Sequence, residues 1–411
     1  MSNTQHASLF KTAVLASGAI ILAGSLMLFP KEALEASTRG LTMWWEVVFP
    51  SLLPFFIVSE LLIGFGVVSF LGALLEPLMR PLFRVPGIGG FVWAMGLASG
   101  NPAGAKLAAR MRQENRVTRI EGERLAAFTN SSNPLFIFGA IAVGFFHDPA
   151  LGFLLAISHY AANILVGLCM RFYGNDRTQR EARRKGTQKR ASFKEALSLL
   201  HQERIKDGRS IGILLGDAVR SSIQTLLLIG GFIILFAVLN KLLEIIGIIG
   251  FVSLFLGAVL SLLGLSEALA EPMLAGLFEI TIGAQLISDT ENASLLAKTV
   301  IVSFILAFGG FSIQAQVASI LAETDIRFRP FFLARLLHGV FAASLAFLLF
   351  HPLYARHQAT ETTTGSAFPE PLFPFGTYGW SFLSSYGSTI TFVALVTFVV
   401  LTARKAYRHA H

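Results

Sequence analysis

The chain reads as an all-α polytopic membrane protein, with about eight transmembrane helices and two re-entrant hairpins in an inverted repeat. Three observations lead there. The first is composition: 54% of the 411 residues are hydrophobic and 14% are charged. Soluble domains carry about 25% charged residues. Several windows exceed about 18 apolar residues, the length that crosses a bilayer as a helix. The second is a likeness between two short segments about 180 residues apart, Gly96–Leu107 and Gly276–Leu286. Both place polar or helix-breaking residues at membrane depth. Paired interruptions at corresponding positions of two halves point to a transporter's substrate site. The third is the distribution of Lys and Arg, which fixes the side of each loop.

Spans are expected over 10–29, 47–69, 124–147, 150–171, 221–243, 294–321, 331–351 and 384–402. The first is read as a retained span, because Leu28-Phe29-Pro30-Lys31 offers no small-residue cleavage pattern. Residues 1–46 then hold this span and an amphipathic stretch at 31–46, with Trp44 and Trp45 suited to an interface anchor. Windows 87–108 and 266–288 are broken by Ser99-Gly100-Asn101-Pro102 and by Glu279-Ile280-Thr281. Non-helical backbone at membrane depth must be covered by protein or line a cavity. Both windows are therefore read as re-entrant hairpins.

Charge supports this. Arg80 and Arg84 precede the first hairpin, and Arg110, Arg112, Arg116, Arg119 and Arg124 follow it. Both flanks are basic, so the segment enters and leaves on the cytoplasmic side. The turn His147-Asp148-Pro149 lacks Lys and Arg, as expected outside. The linker 173–212 is crowded with basic residues and is expected inside. The flanks of the second hairpin are acidic and Lys-poor, as expected outside. Each half, 47–172 and 213–351, contributes three crossings, so the halves must be inverted. Residues 352–411 hold an external loop, the last span and a basic tail, which puts both termini in the cytoplasm.

Further correspondences follow at the same offset. Asn130-Ser131-Ser132-Asn133-Pro134 interrupts span 124–147, and Gly309-Gly310 interrupts span 294–321. His159 and His338 match in the next spans. Segments 70–84 and 247–264 are expected as interfacial or tilted helices.

The candidate binding residues come from these breaks. Ser99, Asn101 and Lys106 belong to the first hairpin; Asn130, Ser131, Ser132 and Asn133 to the first broken span. Thr281 and Gln285 belong to the second hairpin, and Ser312 and Gln314 to the second break, with Gln316 nearby. Broken helices present free N–H and C=O groups to a ligand. The plainer reading of the small polar residues is helix–helix hydrogen bonding. Lys106 is either a snorkelling lysine or a counter-charge for an anion. Glu279 is expensive at membrane depth unless it meets a cation, a proton or a polar solute. It is the expected coupling residue, for H⁺ or Na⁺. His159 and His338 either shuttle protons or simply pack.

Other classes find no support. The net charge of +8 sits in membrane loops, so no nucleic-acid partner is expected. The lone Cys169 excludes an internal disulfide and a cysteine metal cluster. No metal-ligand spacing, phosphate loop or catalytic constellation appears, so neither an enzyme nor a cofactor is expected. The bilayer is the expected surrounding, and homo-oligomerisation is left open.

The run Ala98-Ser99-Gly100-Asn101-Pro102-Ala103-Gly104-Ala105-Lys106 resembles a known family. So do Glu123-Arg124-Leu125, Asn130-Ser131-Ser132-Asn133-Pro134-Leu135-Phe136-Ile137 and Gly139 to Gly144. Together they are similar to the YlbJ/SpoVV sporulation integral membrane proteins, which carry two Gate domains shared with concentrative nucleoside transporters. The resemblance covers about residues 45–351. Asn101 departs from the aromatic residue usual before this proline. The resemblance implies movement of dipicolinic acid, a small aromatic dianion, from the mother cell across the outer forespore membrane. The asparagines and Lys106 suit its carboxylates. An ion-coupled carrier of nucleosides or other polar solutes, and a non-transporting scaffold, are the alternatives.

Overall fold

The computed structural model describes residues 3–174 and 192–355. Within them the secondary structure is helical throughout. The expected span 384–402 and nearly all of 352–411 lie outside the described residues.

α1 (Asn3–Leu28) and α2 (Pro30–Met43) meet at 102°. Pro30 at the first position of α2 suits this junction, since it has no N–H to satisfy. A π-turn at Trp44–Val48 leads into α3 (Phe49–Gly64). Trp44 is not an interface anchor: it is buried against α11 (Ile211–Ile245) and donates to the Leu226 carbonyl at 2.9 Å. Trp45 is exposed.

The expected continuous span 47–69 is also corrected. α3 ends at Gly64, and α4 (Val67–Phe83) leaves at 84°. Gly66 makes the bend, at φ +78°. A side chain there would also press on the Leu200 carbonyl of α10 (Phe193–Asp207). Part of the expected linker is thus an ordered helix. It opens with a capping box, in which Ser192 and Glu195 each accept from the other's backbone N–H.

The first hairpin is α5 (Ile88–Ser99) and α6 (Ala103–Gln113). α7 (Arg119–Thr129) follows, then an extended break, then α8 (Leu135–Phe145), wound as a π-helix, and α9 (Pro149–Met170). The second half repeats the order. α11 and α12 (Ile248–Leu262) lead to a hairpin of α13 (Ala270–Phe278) and α14 (Ile280–Asp289). Then come α15 (Leu295–Phe308), a break at Gly309-Gly310, α16 (Gly310–Leu321) and α17 (Phe328–Leu349).

The arms of both hairpins are 9 to 12 residues long. At 1.5 Å per residue they reach roughly 14–18 Å, about half of a 30 Å hydrocarbon core. Neither arm can cross it. Among the described residues four helices are long and apolar enough to span, or six if each bent pair is one span.

Charged ties gather the loops that the charge pattern assigns to one side. Arg112 donates to Asp325 at 2.7 and 2.9 Å, and Arg327 donates to Glu123 at 2.7 Å. The Arg112 hydrogen bond holds the Asp325 carboxyl below its ordinary range. This tie is therefore present at neutral pH and fades as pH falls through that lowered value. At the other end, Tyr354 donates to Asp148.

Candidate functional site: a cavity between two hairpin tips and two broken helices

Each hairpin closes on a glycine seam. A Cβ on Gly96 would lie 2.0 Å from the Thr129 carbonyl and 3.3 Å from Gly104 Cα. A Cβ on Gly104 would lie 2.1 Å from the same Thr129 carbonyl. In the second hairpin, a Cβ on Gly283 would lie 2.0 Å from Gly276 Cα. Only hydrogen fits at these positions, so the arms pack backbone to backbone. The tips then reach the breaks. Gly100 turns the first tip at φ +85° beside Asn133. Gly310 at the second break faces the carbonyls of Gly276 and Phe278 in the second tip.

The breaks are held by side chains. Asn133 donates to the Ser99 carbonyl at 3.2 Å and accepts from Phe136 N–H at 2.8 Å. It thus ties the first tip to the start of α8. His159 Nε2 accepts from Ser132 N–H at 3.1 Å, and the Tyr160 hydroxyl donates to the Ser132 carbonyl at 3.1 Å. Gln314 donates to the Phe308 carbonyl at 2.8 Å and closes the end of α15.

Glu279 separates α13 from α14 in an extended conformation, φ −144°. Its carboxylate accepts from Thr281 N–H at 2.8 Å, from Ile282 N–H at 3.0 Å and from the Thr281 hydroxyl at 3.2 Å. A carboxylate capping a helix N-terminus meets both free donors and the positive dipole end. That offsets part of the cost of its burial.

Between these parts lies a cavity of about 540 Å³, within the range of small-molecule sites. Ser99, Gly100 and Asn101 line it from the first tip; Ser132 and Asn133 from the first break. Glu279, Ile280 and Thr281 come from the second tip; Ser312 and Gln316 from the second break. Ile229 and Ile233, near the middle of the 35-residue α11, close another wall. The hydroxyls of Ser99 and Ser132 are buried without a protein partner.

Residues 45–182 and 226–327 match the Gate family, described as nucleoside recognition. Over 395 residues the chain is 55% identical to the sporulation integral membrane protein YlbJ of Bacillus subtilis (strain 168). The match covers 96% of each chain. This chain belongs to the YlbJ family of sporulation integral membrane proteins. No solved structure matches it.

In this YlbJ-family chain six of the expected binding residues and the expected coupling residue meet at one cavity. Ser99, Asn101, Ser132, Asn133, Thr281, Ser312 and Glu279 all line it; that is seven residues, Glu279 included, with Gln316 beside them. The others lie elsewhere. Asn130 and Ser131 are buried behind the wall, with side-chain polar atoms that have no protein partner. Gln314 turns back to α15, and Gln285 is exposed on α14. Lys106 points to α3 and α11 instead: its ammonium lies 3.6 Å from Glu60 and donates to Thr225 at 2.6 Å and Ser221 at 3.3 Å. Arg110 also binds Glu60. This network fastens the outgoing arm of the first hairpin to the bundle.

Sequence reasoning passed over Glu46, Pro50, Leu52, Ile229 and Ile233, which line the cavity from apolar or interfacial stretches. It also passed over Arg335, 2% exposed on α17. The available signal was an arginine inside the apolar run 331–351, three residues before His338.

Proposed function

We propose that this protein carries dipicolinic acid from the mother cell across the outer forespore membrane, with its termini in the cytoplasm and Glu279 coupling transport to H⁺ or Na⁺. The cavity carries the reading. It lies where two half-length hairpins and two broken helices meet, the arrangement that secondary transporters use at the bilayer midplane. A scaffold has no use for unwound backbone around a solute-sized space. Two of the half-helices that begin there, α6 and α16, have no side-chain cap. Their N–H groups suit carboxylates. Asn101 adds a donor on the cavity wall.

One observation favours a second reading, a neutral polar solute such as a nucleoside. The described lining contains two carboxylates, Glu46 and Glu279, and neither Lys nor Arg. The Gate description also concerns nucleosides.

Purified protein in liposomes separates the two. Labelled dipicolinate is expected to accumulate, and unlabelled uridine is expected not to compete. Uptake of uridine without uptake of dipicolinate establishes the second reading and removes the first.

A further inference from the structure

The C-terminal ends of the two broken helices are closed differently. Neutral Gln314 closes α15. Arg335, a cation from the other half of the chain, closes α7: it donates to the carbonyls of Ala127 and Asn130. Its Nη1 also lies 2.9 Å from His338 Nδ1, while His338 Nε2 lies 2.9 Å from the His159 carbonyl. Arg335 therefore meets carbonyls and a histidine, and among the described residues no carboxylate pairs with it. An arginine buried at membrane depth without a counter-ion is costly and marks function by default.

Its position relates it to the cavity. Asn130, whose carbonyl it holds, is two residues from Ser132 in the cavity wall. Two residues of chain span at most about 7 Å. The guanidinium is thus within about 10 Å of Ser132. Around it, Arg335 Nε, both polar atoms of the Asn130 side chain and the Ser131 hydroxyl have no protein partner. Among the described residues, Glu279 and Glu46 stand in the wall and Arg335 behind it. Lys106 adds little, because Glu60 faces it.

We propose that Arg335 sets the charge preference of the cavity, acting across the broken segment as a positioning residue without touching the solute. This rests on the transport reading and names its substrate class: carboxylates are taken over neutral solutes of the same shape. At about 10 Å and an effective dielectric constant near 20, one unit charge changes affinity on the order of tenfold per substrate carboxylate.

The test is a ligand ladder of one shape and three charges, bound to the purified full-length protein and followed by calorimetry. The ligands are dipicolinate, picolinate and the neutral diamide of dipicolinic acid. Arg335→Gln is expected to weaken dipicolinate about a hundredfold, picolinate about tenfold and the diamide hardly at all. Arg335→Lys is expected to keep the wild-type order. Asn130→Asp leaves Arg335 in place and sets a carboxylate on the residue it holds; the same graded loss is expected, even where Arg335→Gln does not fold. Equal loss for all three ligands in either variant makes the role structural and overturns the proposal. So does wild-type protein that binds the diamide as tightly as the dianion. Tight, graded binding without uptake in liposomes counts against the transport reading alone.

Discussion

Alanine at Gly283 is expected to unseat the second hairpin and abolish transport. The new Cβ would stand 2.0 Å from Gly276 Cα, 2.3 Å from Gly276 N and 3.0 Å from the Pro272 carbonyl. All three are backbone atoms, so no side chain can turn aside to make room. Overpacking costs about 1–3 kcal/mol where side chains absorb it. Here α13 and α14 must separate, which puts the cost at about 3 kcal/mol or more. Separation also displaces Glu279 at the tip. Gly104→Ala is the counterpart, with Cβ 2.1 Å from the Thr129 carbonyl and 2.4 Å from the Thr129 carbonyl carbon. Gly231 on α11 has nothing within 4 Å and serves as the control; alanine there removes the entropic cost of a helical glycine. Thermal unfolding in detergent reads all three. A Gly283→Ala protein with the wild-type midpoint and wild-type uptake would mean that the arms do not meet on this seam.

The second large effect belongs to Glu279. Alanine removes the acceptor for Thr281 N–H and Ile282 N–H and leaves one buried and one part-buried donor open. Loss of a helix cap costs about 1–2 kcal/mol, and transport should fall to background. Glutamine keeps one acceptor oxygen and removes the charge. Glu279→Gln is therefore expected to fold, to bind solute and to lose the response of uptake to an imposed pH or Na⁺ gradient. Uptake by Glu279→Gln that follows the gradient as in the wild type would take the coupling role away from this residue.

Much of this frame could be read from residue order. Gly96 and Gly104 stand in the first matched segment and Gly276 and Gly283 in the second, and these four form the two seams. The likeness was read from its polar and helix-breaking residues; the glycines match because close backbone packing needs that residue and tolerates few others. Asn133-Pro134 and Gly309-Gly310 were legible as breaks for a related reason: local chemistry alone interrupts a helix there. The charge pattern grouped the loops at 112–119 and 325–329, and the Arg112–Asp325 and Glu123–Arg327 ties join them.

What sequence could not supply was direction. A polar residue at membrane depth is visible, but the face from which it projects depends on packing. Lys106, read as either a snorkelling lysine or a counter-charge for an anion, turns to Glu60, because α3 and α11 pass on that side of α6. Arg335 was passed over within the apolar run 331–351, and it holds a helix end 205 residues away. The bend at Gly66 was hidden inside a continuous apolar run, and only the docking of α10 against it gives that glycine its purpose. The two halves differ at their breaks: Glu279 caps α14 at the second tip, and Arg335 holds the end of α7.

The central claim is that the solute sits between the two hairpin tips. Cys169 is the sole cysteine of the chain, so a Cys169→Ala background permits one reporter. Asn101→Cys places it at the first tip, on the cavity wall. The rate of its alkylation, measured with and without dipicolinate, tests the claim directly. Dipicolinate should slow the reaction in a saturable way, with half-protection at the concentration that half-saturates uptake. An alkylation rate that dipicolinate leaves unchanged, in protein that still takes dipicolinate up, would place the solute elsewhere.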